Sequence, residues 1–197
     1  IHELFNAAEV KANEDDAIGQ ANNTTLIIDG AEIASDSARV QGAEVSANAG
    51  GEILSAKNTT VKLLNISGSK TVKYLTGVSI HSDTGAPAVA STTVDTTEVE
   101  MNGGTVKNVV GAKFYHTKLA EAKVTTVTLN KVEADTVIGV NVTENKDDPT
   151  RIAETATAND TTVTVTGTKV DSAIKDAIIG VNVATVSSGT EAKKVTA

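Results

Sequence analysis

Cysteine and tryptophan are absent from the chain, and its 197 residues include only two prolines, one methionine and 2% aromatic side chains. Without cysteine there are no disulfide bonds, no thiolate metal sites and no cysteine nucleophiles. Cysteine content does not identify the compartment here, because it is informative mainly for small disulfide-rich domains.

Positive charge is also in short supply. Lys and Arg total 17 against 25 Asp and Glu, which gives a formal net charge of −8. We therefore expect no nucleic-acid partner, because a chain this acidic is repelled by phosphate backbones. No apolar run approaches the roughly 20 residues of a membrane-spanning helix, so no membrane span is expected either. Residues 1–6 do not resemble a signal peptide.

Threonine and valine are abundant instead. The chain contains 29 Thr and 25 Val, and 40% of its residues are hydrophobic. β-branched side chains fit the pleated surface of a sheet, and this hydrophobic content is too high for a disordered polymer. The composition indicates an all-β chain packed by small side chains.

The most informative feature is an internal repeat. Shifting the chain by 35 positions aligns residues 7–25 with residues 42–60 without a gap and with ten identities. Each unit contains three short segments. A Thr pair begins the first segment, at Thr24, Thr59, Thr96, Thr125 and Thr161; a Gly begins the second, at Gly42, Gly77, Gly111, Gly139 and Gly180; the third is weaker, at 52–56, 88–91, 118–122, 151–155 and 191–195.

Three short strands per unit of about 35 residues, with alternating apolar positions and polar turns, predict a right-handed parallel β-helix of about five coils. Turns are expected at 65–69, 102–104 and 145–149, where Gly, Asn, Asp or Ser are concentrated. We expect a single β-solenoid segment over residues 1–197. Because neither end resembles a cap, we expect this segment to belong to a longer chain or to be completed by neighbouring subunits.

The alternation also predicts the direction of individual side chains. The inward positions are Val163, Val165, Ile179, Val181 and Val183, and the outward ones are Thr164, Thr166 and Asn182. Residues 35 apart in the first two units should be vertical neighbours at about 4.7 to 4.9 Å, as in the pairs Val10/Val45 and Thr25/Thr60. Equivalent Asn and Thr side chains, as in 23–25 and 58–60, should then form ladders.

Three motifs carry a family resemblance: Thr-Thr-Val-Thr-Val-Thr-Gly at 161–167, Ile-Gly-Val-Asn-Val at 179–183 and Gly-Thr-Glu-Ala at 189–192. Their order resembles the repeats of large secreted bacterial exoproteins of the filamentous-haemagglutinin and leukotoxin type, which include two-partner-secreted adhesins and autotransporter passenger domains. The resemblance covers nearly the whole chain and implies a right-handed β-helix shaft on a cell surface. It implies no catalytic residue, because the family pattern at these positions is structural.

No residue pattern predicts a catalytic, cofactor-binding or metal site. The three histidines lack the spacing of metal ligands. His81 and His116 are 35 apart, which could stack them on a solenoid, but we expect all three histidines at exposed turn positions. The pair Asp147-Asp148 precedes Pro149 and indicates a turn, with adventitious calcium as the lesser alternative.

Other candidates also have structural interpretations. Asp15-Asp16 is a second acidic pair, and Glu133 and Asp135 are placed between strands. Phe114 and Tyr115 alternate in direction, so we expect one ring inside and one outside. Arginine occurs only at Arg39 and Arg151, which disfavours an enzyme that acts on anionic sugars.

These features predict a non-enzymatic structural segment of a secreted or cell-surface bacterial adhesin. Its partners would be surface ligands of the host or of bacteria, bound through regions that need not lie in this segment. The first alternative is a self-assembling subunit of an extracellular filament or surface layer, completed at its open coil ends by the next copy. The second is a carbohydrate-active enzyme on the same fold.

Overall fold

The computed structural model describes residues 4–15, 17–48, 52–83, 88–143, 155–167 and 177–183. These residues contain no helix, and their strands are β1 (Leu4–Ala12), β2 (Ile18–Asn22), β3 (Thr25–Asp29), β4 (Arg39–Ala47), β5 (Ile53–Lys57), β6 (Thr59–Leu64), β7 (Val72–Ser82), β8 (Val89–Asn102), β9 (Thr105–Tyr115), β10 (Thr117–Asn130), β11 (Glu133–Thr143), β12 (Thr155–Thr166) and β13 (Ala177–Val183).

The strands form two parallel sheets, and the chain alternates between them. Sheet A has the order β1-β4-β7-β9-β11-β13, and sheet B contains β2, β3, β5, β6, β8, β10 and β12. Each strand of sheet A is followed by sheet B strands before the chain returns to sheet A one step further along the axis. The predicted all-β parallel β-helix is therefore confirmed. Its right-handedness stays a prediction of the sequence.

The number of strands per coil differs from the prediction. The first two coils have the three expected strands, because Asn23 and Asn58 adopt left-handed backbone angles, with φ of 55° and 54°, between two short sheet B strands. In the next three coils these two strands are joined into one long strand, β8, β10 or β12. A turn between two sheet B strands is therefore confined to the first two coils.

Differences in unit length arise at the corners. The shortest unit separates Gly111 from Gly139 by 28 positions. Here β9 passes into β10 through His116 alone, and only Lys131 and Val132 separate β10 from β11. His116 and Lys131 both have positive φ, at 54° and 55°, which turns the chain within one residue. The turns predicted at 65–69 and 102–104 are confirmed, and 145–149 lies outside the described residues.

Vertical stacking follows the predicted register in the first coils. Val10 is the strand partner of Val45, and Thr25 is the partner of Thr60. The Asn58 Nδ2 group donates to Asn23 Oδ1 at 2.9 Å, which forms the expected amide ladder. The predicted stacking of the Thr pairs needs one correction, because Thr59 pairs with Thr97 rather than Thr96. The Thr pair in the third coil is thus shifted by one position against its neighbours.

A narrow waist divides the interior of the solenoid. Sheet A carries the stacked glycines Gly42, Gly77, Gly111, Gly139 and Gly180. The first four face the stacked threonines of sheet B across the core, namely Thr59, Thr97, Thr125 and Thr161. A Cβ atom added at Gly42 would lie 2.5 Å from Thr59 Cγ2 and 2.6 Å from the backbone oxygen of Gly77. Two separate apolar clusters fill the interior on either side of this waist. The glycines therefore allow the two sheets to approach.

The bend at the glycines changes which side chains point inward. Both Gly139 and Val140 are buried, so the simple alternation is interrupted there. Val181 and Val183 pack against one apolar cluster, and Val163 and Val165 against the other, as predicted. The prediction for Ile179 is wrong. Its strand partner Ile138 belongs to neither cluster and faces the outer side of sheet A, where it is 9% exposed.

Candidate functional site

The outer face of sheet A is hollow where the glycine column draws the sheet toward sheet B. Four successive strands, β4, β7, β9 and β11, line a groove of about 360 Å³ that follows the solenoid axis. Three inter-strand steps give it a length of about 14 Å. One wall carries Arg39, Tyr74, Asn108 and Thr136, the floor Gln41, Thr76, Val110 and Ile138, and the other wall Ser79, Lys113 and Asn141.

Polar side chains reach the groove because of the β-strand period. Within each strand, outward residues two positions apart lie side by side, and the parallel register stacks them across coils. Arg39 and Tyr74 are strand partners, and the guanidinium carbon of Arg39 lies 5.4 Å from the centroid of the Tyr74 ring. This distance is typical of a cation–π contact, which holds the arginine over the ring. Lys73 Nζ lies 5.5 Å from the same centroid.

Lys113 is the cation of the opposite wall. Burial lowers the pKa of Lys113 below its usual range; the Glu44 carboxylate opposes this effect, and the Arg39 guanidinium adds to it. Within the described chain, neither Arg39 nor Lys113 has a carboxylate within 4.0 Å. Two like charges thus face each other across the groove without a direct counter-ion from these residues.

Amide groups supply the remaining polarity of the groove. Asn141 Oδ1 accepts a hydrogen bond from Asn182 Nδ2 at 2.9 Å, and Gln41 Nε2 donates to the backbone oxygen of Ala43 at 3.1 Å. Asn108 Nδ2 makes a long contact of 3.5 Å with the backbone oxygen of Lys73. Each amide therefore keeps hydrogen-bonding capacity for a ligand. The floor between them is apolar at Val110 and Ile138.

A charged network borders the groove beside Lys113. His81 Nε2 lies 3.7 Å from Glu44 Oε1 and 3.7 Å from Asp83 Oδ1. Asn6 Nδ2 donates to the other Glu44 oxygen at 3.2 Å, and Lys11 pairs with Asp83. Burial lowers the pKa of His81, although both neighbouring carboxylates oppose that shift. Glu44 is thus already engaged by Asn6 and His81, and it is not among the residues that line the groove.

The outer face of sheet B has a second hollow of about 640 Å³, but its charges compensate one another. Asp95 lies between Lys57 at 3.9 Å and Lys123 at 3.6 Å, so the acid has a cation on each neighbouring coil. Further along the same face, Lys62 Nζ donates to Glu98 and Glu100 at 2.9 Å each, which raises the pKa of Lys62. Lys57, Lys62 and Lys123 on this face are therefore already paired.

The histidine predictions need correction. His81 is half-buried within β7 and pairs with Tyr115, not with His116, because β7 and β9 are offset by 34 residues rather than 35. His116 does occupy a corner, but it is buried. His2 lies outside the described residues. In the described part of the chain, no group of three or more His, Cys, Asp or Glu side chains is arranged to hold a metal ion.

The remaining residues singled out in the sequence either have structural positions in the strands or lie outside the described residues. Glu133 and Asp135 lie within β11 rather than between strands. The Phe114 ring is fully buried and Tyr115 is half-buried on the other face, as predicted. Asp16 and the pair 147–148 lie outside the described residues. The groove was not predicted from the sequence. Its signal was the 35-residue spacing of Arg39 and Tyr74, which places a cation beside an aromatic ring on neighbouring coils.

Comparison with known proteins identifies no relative. No protein-family model matches the chain, and neither a curated protein nor a solved structure matches it. Within the described ranges there is also no helix with the length and hydrophobicity needed to span a membrane.

Proposed function

We propose that the chain is a non-enzymatic structural segment of a secreted or cell-surface bacterial protein of the adhesin type, which acts as a shaft. The observation that carries this proposal is the continuous stack of coils. Six strands of sheet A pair in one parallel ladder, and the inward columns stay apolar from β4 to β11. Five inter-strand steps correspond to about 24 Å along the axis.

The physical properties of this stack suit a shaft. Backbone hydrogen bonds between parallel strands run along the axis, so every coil is joined to the next by two sheets. Each coil buries its apolar side chains against neighbours above and below, which makes stability a sum of contacts between adjacent coils. Such an element extends by adding coils and keeps its outer face at a fixed geometry. The resemblance of its motifs to bacterial exoprotein repeats supports the extracellular setting.

Surface labelling tests this proposal. Antibodies raised against the 197-residue chain are applied to intact and to permeabilised cells of the organism that produces it, with a cytosolic protein as control. We expect labelling of intact cells or recovery of the protein from the medium. Labelling that requires permeabilisation would overturn the surface function. Release of reducing or unsaturated sugar ends by the purified chain would instead favour the carbohydrate-active alternative.

Self-assembly is the second candidate, and the exposed ends of two apolar columns favour it. Phe5 is 42% exposed although its strand partner Val40 is 1% exposed. Ile178 is 56% exposed although its partner Val137 is fully buried. A second copy stacked on these strands would continue the columns and bury both side chains.

Light scattering across micromolar concentrations tests assembly. For the wild-type chain we expect a mass that rises with concentration, and for Phe5→Asp a constant mass. Ile27→Asp is the matched control, because Ile27 is equally apolar and 56% exposed but pairs with Lys62 on the outer face. A concentration-independent monomer for the wild type would exclude the filament candidate.

A further inference from the structure

The groove on sheet A presents two cations that the described residues leave without a direct counter-ion. Arg39 is held by the Tyr74 ring rather than by a carboxylate, and its N–H donors remain available around the ring contact. Lys113 reaches the groove from the opposite wall, where the residue is half-buried. Both charges occur in a chain whose net charge is −8.

A partly buried ammonium without a carboxylate at contact distance is unfavourable on its own. The attraction of an anionic group placed between Lys113 and Arg39 would offset the desolvation cost of Lys113 and the repulsion between the two cations. The hollow on sheet B provides the internal comparison, because Asp95 already performs that role there for Lys57 and Lys123. In the groove, no acidic residue among the described lining residues takes the place of Asp95.

From this arrangement we propose that the groove binds an acidic oligosaccharide, with one sugar carboxylate held between Arg39 and Lys113. The inference rests on the proposed surface function and deepens it by naming the class of ligand. The sugar ring would lie on the floor formed by Val110 and Ile138. The amide of Asn141 and its neighbours along the walls would bond the sugar hydroxyls.

The shape and lining of the groove favour a saccharide over a compact anion. Its axial length of about 14 Å exceeds the need of a single phosphate or carboxylate. Planar amides and hydroxyls alternate with a small apolar floor, which matches a ligand that carries many hydroxyl groups on an apolar ring face. The volume of about 360 Å³ corresponds to a short oligosaccharide rather than a polymer enclosed on all sides.

Isothermal titration calorimetry with the full 197-residue chain tests the proposal. The probe is a galacturonic acid trisaccharide, and its fully methyl-esterified form is the neutral control with the same sugar body. We expect saturable binding of the acid, weakened by salt, and at least about tenfold weaker binding of the ester, as loss of a charge-assisted hydrogen bond predicts. Triglutamate, which carries carboxylates without sugar rings, should bind at least about tenfold more weakly.

Substitutions locate the site. Arg39→Gln and Lys113→Gln should each weaken binding of the acid by about tenfold or more. Lys107→Gln is the matched control, because Lys107 lies on the same strand as Lys113, carries the same charge and does not line the groove. It should leave affinity within about twofold. Thermal melting of each variant shows whether the fold is retained.

Four results would overturn the inference: no binding of the trisaccharide, equal binding of the ester, equal binding of triglutamate, or unchanged affinity in folded Arg39→Gln and Lys113→Gln. None of these results bears on surface labelling of cells, so the shaft function and the ligand assignment fail separately. If the labelling shows a cytosolic protein while the trisaccharide still binds, the ligand assignment is retained and the proposed shaft function is wrong.

Discussion

The waist of the solenoid predicts a large effect from adding one methyl group. In Gly42→Ala, the new Cβ would lie 2.5 Å from both Thr59 Cγ2 and Val61 Cγ2 and 2.6 Å from the backbone oxygen of Gly77. Real Cβ atoms do not approach so closely, so sheet A and sheet B must separate locally. Overpacking lowers the free energy of unfolding by about 1 to 3 kcal/mol. Because a backbone oxygen cannot rotate away from the new methyl group, we expect a loss of about 3 kcal/mol here.

A smaller effect acts in the opposite direction. Alanine restricts the unfolded chain more than glycine does, which contributes about 0.4 to 1 kcal/mol of stability. The net loss is then about 2 to 3 kcal/mol, or a fall in melting temperature of about 4 to 12 °C for a chain of this size. Differential scanning calorimetry and urea unfolding measure it.

The same column provides the control. Gly180→Ala makes the identical change, but no heavy atom lies within 4 Å of the added Cβ, so its melting temperature should stay near the wild-type value. Thr59→Ser removes one of the contacting methyl groups and should recover part of the loss in the double variant. A Gly42→Ala protein as stable as wild type, or a Gly180→Ala protein equally destabilised, would refute the role of the waist.

Three further predictions concern buried polar groups. Thr125→Val should raise the free energy of unfolding by about 1 kcal/mol in urea titrations, because the buried Thr125 hydroxyl has no hydrogen-bond partner among the described residues. Thr128 is half-buried and points outward, so Thr128→Val should change the free energy of unfolding little. Glu52→Gln should raise the melting temperature, because the Glu52 carboxylate is fully buried and neither oxygen has a partner in the described chain; an unchanged or lower value would contradict this. His81→Gln should reduce the loss of stability on acidification below about pH 6.5, because the lowered pKa of His81 means that the unfolded chain binds the proton first; identical pH profiles of the two proteins would disprove it.

The repeat was sufficient to predict the fold class and the stacking. The match between 7–25 and 42–60 placed Val10 beside Val45 and Thr25 beside Thr60, and both pairs are strand partners. A gapless match has one register, and in parallel strands a wrong register would turn buried side chains outward. Where units differ in length, the 35-residue spacing no longer gives the register. The offset of 34 residues between β7 and β9 moved the partner of His81 from His116 to Tyr115.

The direction of Ile179 could not be obtained from alternation, because strict alternation assumes a flat strand. Gly139 and Val140 both point inward where sheet A bends, and Ile138 lines the groove, so Ile138 and its partner Ile179 face the outer side of the sheet. The sequence has a glycine at this position in β4, β7, β9, β11 and β13. Periodicity alone assigns such a glycine to a face but does not show that the opposite sheet lies against it.

The groove and the waist have the same physical origin. Glycine in β4, β7, β9 and β11, the four strands that line the groove, removes the side chains that would keep the sheets apart, and the approach of the sheets makes the outer surface concave. Residues on either side of the bend, such as Arg39 and Lys113, then face each other although they lie on strands two steps apart. A substitution that opens the waist, such as Gly42→Ala, should therefore flatten the groove. Its affinity for the acidic trisaccharide should fall even though residue 42 does not line the groove, and unchanged affinity would separate the groove from the glycine bend.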